Sequence, residues 1–231
     1  MSTLSHHEKH FTSSEFIRDI VLGMSDGLTV PFALAAGLSG ISVTSTIIVT
    51  AGLAELAAGA IAMGLGGYLA ARTEAQHYAA ELEREHRETV EVPEEEAREV
   101  AAIFTSWGLE EPHVQAVVAA IRQDRSRWVD FMMRFELGLE EPDPNRAWQS
   151  ALLIGLSYVA GGLVPLHPYF FVHDTHRALA ASIAVTAVAL LIFGYVKGRY
   201  TSKTPFWIAL QTLLVGSVAA AAAFGIARLI S

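Results

Sequence analysis

The sequence predicts an all-α, polytopic membrane protein with five transmembrane helices and an acidic three-helix module between the second and third spans. Of its 231 residues, 52% are hydrophobic, and they are concentrated in five blocks rather than spread as in a soluble core. Seventeen of the 24 acidic residues, but only 7 of the 16 basic ones, lie between residues 73 and 141. Cysteine is absent, so any metal must be bound by Asp, Glu, His or Met.

These blocks divide the chain into four segments. They are a tail at 1–15, the first two spans at 16–72, the acidic module at 73–146, and spans three to five at 147–231. The polar tail contains no apolar stretch, so we expect no cleavable signal peptide. His6, His7 and His10 could bind a metal, but a solvated tail is the favoured interpretation because chain termini are usually disordered.

The first span, from Ile20 to about Ile41, carries an acidic residue inside its apolar part. Asp26 lies beside Gly23 and Gly27, whose four-residue spacing lets two helix backbones approach closely. Pro31 removes one helical hydrogen bond a turn later. A carboxylate within a membrane span is costly and usually functional. We therefore predict a working site at Asp26.

The second span, residues 45–71, contains one carboxylate, Glu55, and one thioether, Met63. If the two spans form a tight hairpin near Ser42, Asp26, Glu55 and Met63 differ in depth by no more than about 12 Å, at about 1.5 Å per helical residue. They could therefore line one path through the membrane. Spans three to five, expected at 147–166, 178–195 and 205–230, have no acidic residue in their apolar parts, so we assign the translocation chemistry to the first two spans. Gly161 and Gly162 are predicted to serve helix packing.

Each helix of the acidic module places potential ligands on one face. The first helix continues from the second span, the second begins at Pro93, and the third follows Pro112 and runs to about Leu137. The candidate ligands, in helix order, are Glu81, Glu85 and Glu88 with His77; then Glu96 and Glu99; then Met132 and Glu136. Stacked like charges destabilise a helix unless positive charge lies between them. We predict cation binding, with an ordinary solvated acidic surface as the alternative.

The charge distribution also predicts partners and orientation. Acidic surface repels nucleic acid, so no nucleic-acid partner is expected. Lys197, Arg199 and Lys203 lie between spans four and five, which places that loop, the N-terminus and the module in the cytosol by the positive-inside tendency. The opposite loop, with His167, His173 and His176, is predicted to supply interfacial anchors. No nucleotide-binding or nucleophile motif is present, so we expect no enzyme and no direct use of ATP.

Four stretches resemble the vacuolar iron transporter family. They are RDIVLGMSDGLTVPFALAAGLSG, AGAIAMGLGGYLAA, the charged helical insert that follows it, and IGLSYVAGGLVPLHPYFF. The resemblance covers nearly the whole chain. It implies a five-span homodimer that moves ferrous iron, and often manganese, out of the cytosol in exchange for protons. The only support for a dimer in the residues themselves is the Gly23/Gly27 face.

The resemblance also implies roles for individual residues. Asp26, Glu55 and Met63 match the membrane path, and the ligands of the cytosolic metal-binding domain would be Glu85, Glu88, Glu96, Glu99, Met132 and Glu136, with Glu81 and His77 as possible additional ligands. Many relatives have a glutamate where this chain has Gly67. No cofactor is implied beyond the transported ion, Fe²⁺ and possibly Mn²⁺, Co²⁺ or Zn²⁺, and either a vacuolar membrane or a bacterial inner membrane fits.

The donor types favour transport of a borderline divalent ion. Carboxylates with a thioether suit ferrous iron, manganese or cobalt better than magnesium. A carboxylate inside the membrane can be neutralised by a proton or by a metal, so protons from an acidic far side would displace the ion. A membrane-anchored iron sensor or store ranks second, because an anchor does not need Asp26 and Glu55.

A ferritin-like oxidase ranks third. It needs Glu-x-x-His pairs on facing helices of a bundle, and that spacing occurs at Glu74/His77, Glu83/His86 and Glu110/His113. The first two pairs point to opposite faces of one helix. The third pair spans Pro112 at a helix start.

Overall fold

Every regular element of this protein is helical in the part of the chain that the computed structural model describes, residues 11–41, 43–201 and 204–230. The helices are α1 (Phe11–Ser39), α2 (Ser45–Glu91), α3 (Pro93–Ser106), α4 (Glu111–Arg122), α5 (Arg125–Phe131), α6 (Arg146–Phe171), α7 (Thr175–Thr201) and α8 (Pro205–Ile230). A π turn, Met132–Glu136, extends α5. The all-α prediction is confirmed, and the predicted histidine cluster of the tail lies outside the described residues.

The chain folds into two compact units. One comprises the chain up to Tyr68 and from Trp148 onward, and the other comprises Leu69–Ala147. Within the described residues, α1, α2, α6, α7 and α8 are the five helices long and apolar enough to cross a membrane. This confirms the five predicted spans. We call the first unit the membrane unit and the second the acidic module.

In the membrane unit, α6 packs closely against both α1 and α2. A Cβ atom at Gly27 would overlap the Tyr158 carbonyl group, and one at Gly161 would meet backbone atoms of Met24 and Leu28. The predicted packing role of Gly161 is confirmed. Gly23 likewise faces the backbone of Ile154. The glycine pair of α1 is therefore used within the chain, so its interpretation as a dimer face was wrong.

Helix α6 extends further than the sequence indicates. The third span was expected to end near Leu166, but α6 continues through Pro165 and Pro168 to Phe171. Membrane helices tolerate proline where neighbouring groups satisfy the disturbed backbone. The Ser182 hydroxyl of α7 also donates to the Pro165 carbonyl oxygen at 2.7 Å, which links this part of α6 to α7.

The third helix expected in the acidic module is divided in two. Helix α4 ends at Arg122, and the Asp124 carboxylate accepts hydrogen bonds from the backbone N–H groups of Ser126 and Arg127 at 3.0 and 3.2 Å. This is an N-cap, which starts α5 in a new direction. The prediction of one helix to about Leu137 was therefore wrong. The core of the module is formed by buried residues of α3, α4 and α5 with the π turn: Ala97, Val100, Val114, Val118, Ile121, Trp128 and Met132.

Candidate metal-transport site

The membrane-embedded carboxylate Glu55 is oriented by a tyrosine of another span. The Tyr158 hydroxyl of α6 donates a hydrogen bond to Glu55 Oε1. The second oxygen, Oε2, is buried and has no hydrogen-bond partner within the described part of the chain. A buried polar atom without a partner is costly. Glu55 thus presents one fixed and one available oxygen, as a site for a proton or a cation requires.

Asp26 lies next to the contact that brings Tyr158 to α1. Its neighbour Gly27 packs on the Tyr158 backbone. Asp26 is half-buried. Tyr158 therefore connects the two predicted carboxylates, one through a hydrogen bond and the other through helix packing.

Tyr158 is a candidate site residue that the sequence analysis missed. The first two spans were expected to hold the translocation chemistry alone, but α6 contributes this hydroxyl. Gly59 of α2 leaves the space for it, because a Cβ at Gly59 would overlap the Tyr158 ring. A glycine one turn after an intramembrane glutamate, together with a tyrosine in an otherwise apolar span, was the available signal.

Met63 lies further along α2, separated from Glu55 by about 12 Å at 1.5 Å per residue. It is half-buried, and the adjacent Gly64 packs on the carbonyl of Ala151. Gly67, the position where relatives often have glutamate, packs on Ile154 and on the Ser150 hydroxyl. In this chain, position 67 therefore serves the α2–α6 contact.

In the acidic module, one arginine holds three of the predicted glutamates. Arg84 lies 2.8 Å from Glu81, 3.4 Å from Glu88 and 3.6 Å from Glu85. Glu85 is 2% exposed, and its Oε2 atom has no hydrogen-bond partner within the described residues. Burial and the charge of Glu88 raise the pKa of Glu85. This helix face is thus short of positive charge despite Arg84.

Two further glutamates of the module are neutralised easily. Burial, followed by the charges of Glu85 and Glu99, raises the pKa of Glu96 to about 7. Although Glu136 is exposed as a whole residue, desolvation of its carboxylate by neighbouring atoms, followed by the charges of Glu99 and Glu85, raises its pKa to about 7. These predicted ligands, from α2, α3 and the π turn, interact through their charges and form one electrostatic cluster. Glu96 Oε2 is also buried without a hydrogen bond in the described structure.

Met132 is the first residue and Glu136 the last residue of the π turn that follows α5. Met132 is completely buried in the apolar core of the module with Val100 and Trp128, whereas Glu136 is exposed. Single π turns are frequent at functional sites because they change the direction of side chains within a helix.

The remaining predicted ligands lie at the edge of this cluster. Glu99 is exposed, and the exposed His77 lies 3.8 Å from Glu81. Among the described residues, no three carboxylate or imidazole groups are already assembled as a metal site.

Comparison with known proteins gives a consistent family. The VIT family matches residues 17–228. The chain is 58% identical to Vacuolar iron transporter 1 of Oryza sativa subsp. japonica over 227 residues, covering 97% of this chain and 90% of that protein. It is 55% identical to Vacuolar iron transporter 1 of Arabidopsis thaliana over 228 residues, covering 98% and 91%. It is 41% identical to Protein CCC1 of Saccharomyces cerevisiae over 223 residues, covering 93% and 69%.

Proposed function

This chain belongs to the VIT family and is a membrane transporter of metal ions, and from that premise we propose that it exports Fe²⁺, and also Mn²⁺ or similar divalent ions, from the cytosol in exchange for protons. The family is one of transporters rather than enzymes. Co²⁺ and Zn²⁺ are further candidate cargoes, because the carboxylate and thioether donors do not exclude them.

The observation that carries the proposal is the arrangement around Glu55. Tyr158 holds one oxygen of this carboxylate and leaves the other buried without a partner. In a membrane, that oxygen is best satisfied by a proton or a cation. Because both compete for the same atom, binding of one releases the other. Exchange of metal for protons follows if Glu55 is accessible to each side in turn.

The acidic module would collect the ion before transport. Its cluster of glutamates raises the local concentration of cations, and the buried oxygens of Glu85 and Glu96 favour an ion over bulk water. Fe²⁺ is accepted by carboxylates, and a thioether adds preference for softer ions. Met63 in the membrane unit and Glu136 in the module are the donors that would adjust selectivity, whereas Met132 would have to leave the apolar core of the module to join them.

The direction of transport depends on topology. With the end of α7 that carries Lys197 and Arg199 in the cytosol, the module and the N-terminus are cytosolic as well. The names of the relatives mention the vacuole, so we assign the chain to a membrane bordering an acidic compartment such as a vacuole. The sequence suits a bacterial inner membrane equally well. We further propose a homodimer, by family resemblance, with an interface other than Gly23/Gly27.

The decisive experiment is flux into proteoliposomes with an imposed pH gradient, recording internal metal and internal pH together. We expect gradient-dependent Fe²⁺ uptake with opposite proton movement in the wild type and none in Asp26→Ala, while metal binding to the module stays unchanged. Asp174→Asn, which removes a carboxylate from an exposed loop, is the control and should transport normally. Simultaneous loss of flux and module binding in Asp26→Ala would contradict separate roles.

The second candidate function is a membrane-anchored iron sensor or store. The observation in its favour is that the acidic module is a compact unit with its own hydrophobic core. It predicts saturable metal binding by the wild type without any flux. The same proteoliposome assay therefore separates the two functions.

A further inference from the structure

Two adjoining cavities of different character lie in the membrane unit between α1, α7 and α8. The first, about 290 Å³ in volume, is lined almost entirely by apolar side chains, among them Phe32, Leu190, Leu213 and Phe224. The second has a polar lining that includes Ser39, Thr44, His176 and Arg228. Leu179 and Phe224 line both. We call the two cavities together the amphipathic recess.

The apolar part of the recess has the depth of one membrane leaflet. Along α8 its lining extends from Leu213 to Phe224, and along α7 from Leu190 to Leu179, which is about 16 Å in each case at about 1.5 Å per residue. The hydrocarbon core of a bilayer is about 30 Å thick. The apolar cavity therefore ends near the middle of the bilayer, and its polar mouth lies at the level of the headgroups.

A cation stands at the junction of the two parts. The Arg228 guanidinium lies over the Phe224 ring, 5.6 Å from its centroid, and Phe224 is shared by both cavities. Arginine in this position suits a phosphate oxygen, because its N–H groups match phosphate geometry. The nearby acidic residue Asp174 does not line the recess, and its carboxylate caps α7 by accepting the Arg177 N–H at 2.8 Å.

We propose that one phospholipid binds in the amphipathic recess, with an acyl chain in the apolar cavity and its phosphate on Arg228. An apolar cavity as deep as one membrane leaflet does not suit the metal cargo. Together with the guanidinium at its mouth, it matches a lipid. By the order of the spans, the lipid belongs to the leaflet opposite the end of α7 that carries Lys197 and Arg199. Because Phe32 and Ala36 of α1 line the apolar cavity, the lipid would contact the helix that carries Asp26.

Native mass spectrometry of the full chain in detergent tests this proposal, with phosphatidylglycerol as the probe and diacylglycerol of the same chains as the comparison without phosphate. We expect the wild type to retain one phosphatidylglycerol per chain and diacylglycerol much more weakly. Arg228→Gln should weaken phosphatidylglycerol binding by roughly ten- to a hundredfold, the loss expected for a hydrogen bond to a charged group. Ser217→Phe, which places a ring in the apolar cavity from an exposed position, should reduce the binding of both lipids.

The control is Arg177→Gln, which removes the same charge from the first turn of α7, at a residue that does not line the recess. It should bind phosphatidylglycerol like the wild type. Equal losses in Arg177→Gln and Arg228→Gln would indicate general surface charge and overturn the proposal. So would equal retention of the two lipids by the wild type, or retention of neither. Arg228 is exposed, so its replacement should leave folding intact, which thermal unfolding verifies.

Discussion

The two carboxylate sites of this protein are built in opposite ways. In the membrane unit, Glu55 is oriented by a single hydrogen bond from Tyr158, and the helices that carry them meet at glycines. In the acidic module, several glutamates share the charge of Arg84 and no three of the described acidic or histidine side chains form a ready-made metal site. Under the proposed function, the difference teaches that one precisely oriented carboxylate serves the exchange of an ion in a low-dielectric medium, whereas a large number of carboxylates is enough to attract the ion from water.

The largest expected effect is the loss of the precise site. Glu55→Gln keeps the size and one hydrogen-bond acceptor for Tyr158 but removes the charge, so flux should fall at least about a hundredfold in the proteoliposome assay. Binding of Co²⁺ to the module should be unchanged. Normal flux in this variant would show that Glu55 is structural and that the comparison between the two sites fails.

The second largest effect is expected from disturbing the packing that positions Tyr158. In Gly27→Ala, the new methyl group would lie 2.9 Å from the Tyr158 Cα and carbonyl carbon, and backbone atoms cannot rotate away. Overpacking of this kind costs about 1–3 kcal/mol, which we expect as a lower thermal unfolding temperature and reduced flux. Gly66→Ala is the control, because nothing lies within 4 Å of a Cβ there. Equal stability of the two variants would contradict the tight α1–α6 contact.

Removing the hydrogen bond between Tyr158 and Glu55 should reduce flux less than removing the charge of Glu55. Tyr158→Phe keeps the ring but frees Glu55 Oε1, and we expect flux to fall roughly tenfold, the value of a hydrogen bond to a charged group, with an altered dependence on external pH. Tyr169→Phe is the matched control: Tyr169 is equally buried and its hydroxyl bonds to Ser39 at 2.9 Å, away from the carboxylates. An identical response of both variants would indicate a general packing role for the two tyrosines.

The module should respond to pH over a range that its glutamates define. Because the pKa values of Glu96 and Glu136 are raised to about 7, protons compete with metal below neutrality. In the Glu55→Gln background, Co²⁺ affinity should rise about tenfold between pH 6 and pH 8 for each proton displaced. Constant affinity over this range would rule out binding at these two carboxylates.

The same shifts predict how stability changes without metal. A raised carboxyl pKa means that folding favours the protonated form, so the contribution is fully present below the ordinary value of 4.5 and is lost as pH rises through about 7. Unfolding of the metal-free protein should therefore be easier at pH 8 than at pH 6. Added Co²⁺ should reverse this trend, which a thermal unfolding series with and without the ion would detect.

The sequence predicted the spans well because hydrophobic length is a strong signal. Helix α8 occupies 205–230 as expected, since Pro205 starts it and the apolar run sets its length. The sequence was less informative where a local polar group competes with a helical pattern. Asp124 caps α5 and divides the predicted third helix of the module, and a closer use of the N-cap preference for aspartate would have found that break.

The acidic residues of the site were predictable from the sequence, but the side chain that orients Glu55 was not. Asp26 and Glu55 are conspicuous because charges in apolar spans are rare. Tyr158 is not, since tyrosine also serves as a packing or interfacial residue, and only the contact of α6 with Gly27 and Gly59 gives it a role. The π turn at Met132–Glu136 likewise depends on tertiary packing, for which no local pattern in the chain exists.

The contacts at Gly23, Gly27 and Gly161 have a consequence for how the transporter can move. Backbones that meet without side chains between them cannot slide along each other without collision. Helices α1 and α6 therefore travel as one rigid body, and Asp26 and Tyr158 travel with it. Helix α2 also meets α6 at the backbone, where Gly64 lies on the Ala151 carbonyl, so close helix contacts fix both partners of the hydrogen bond between Tyr158 and Glu55.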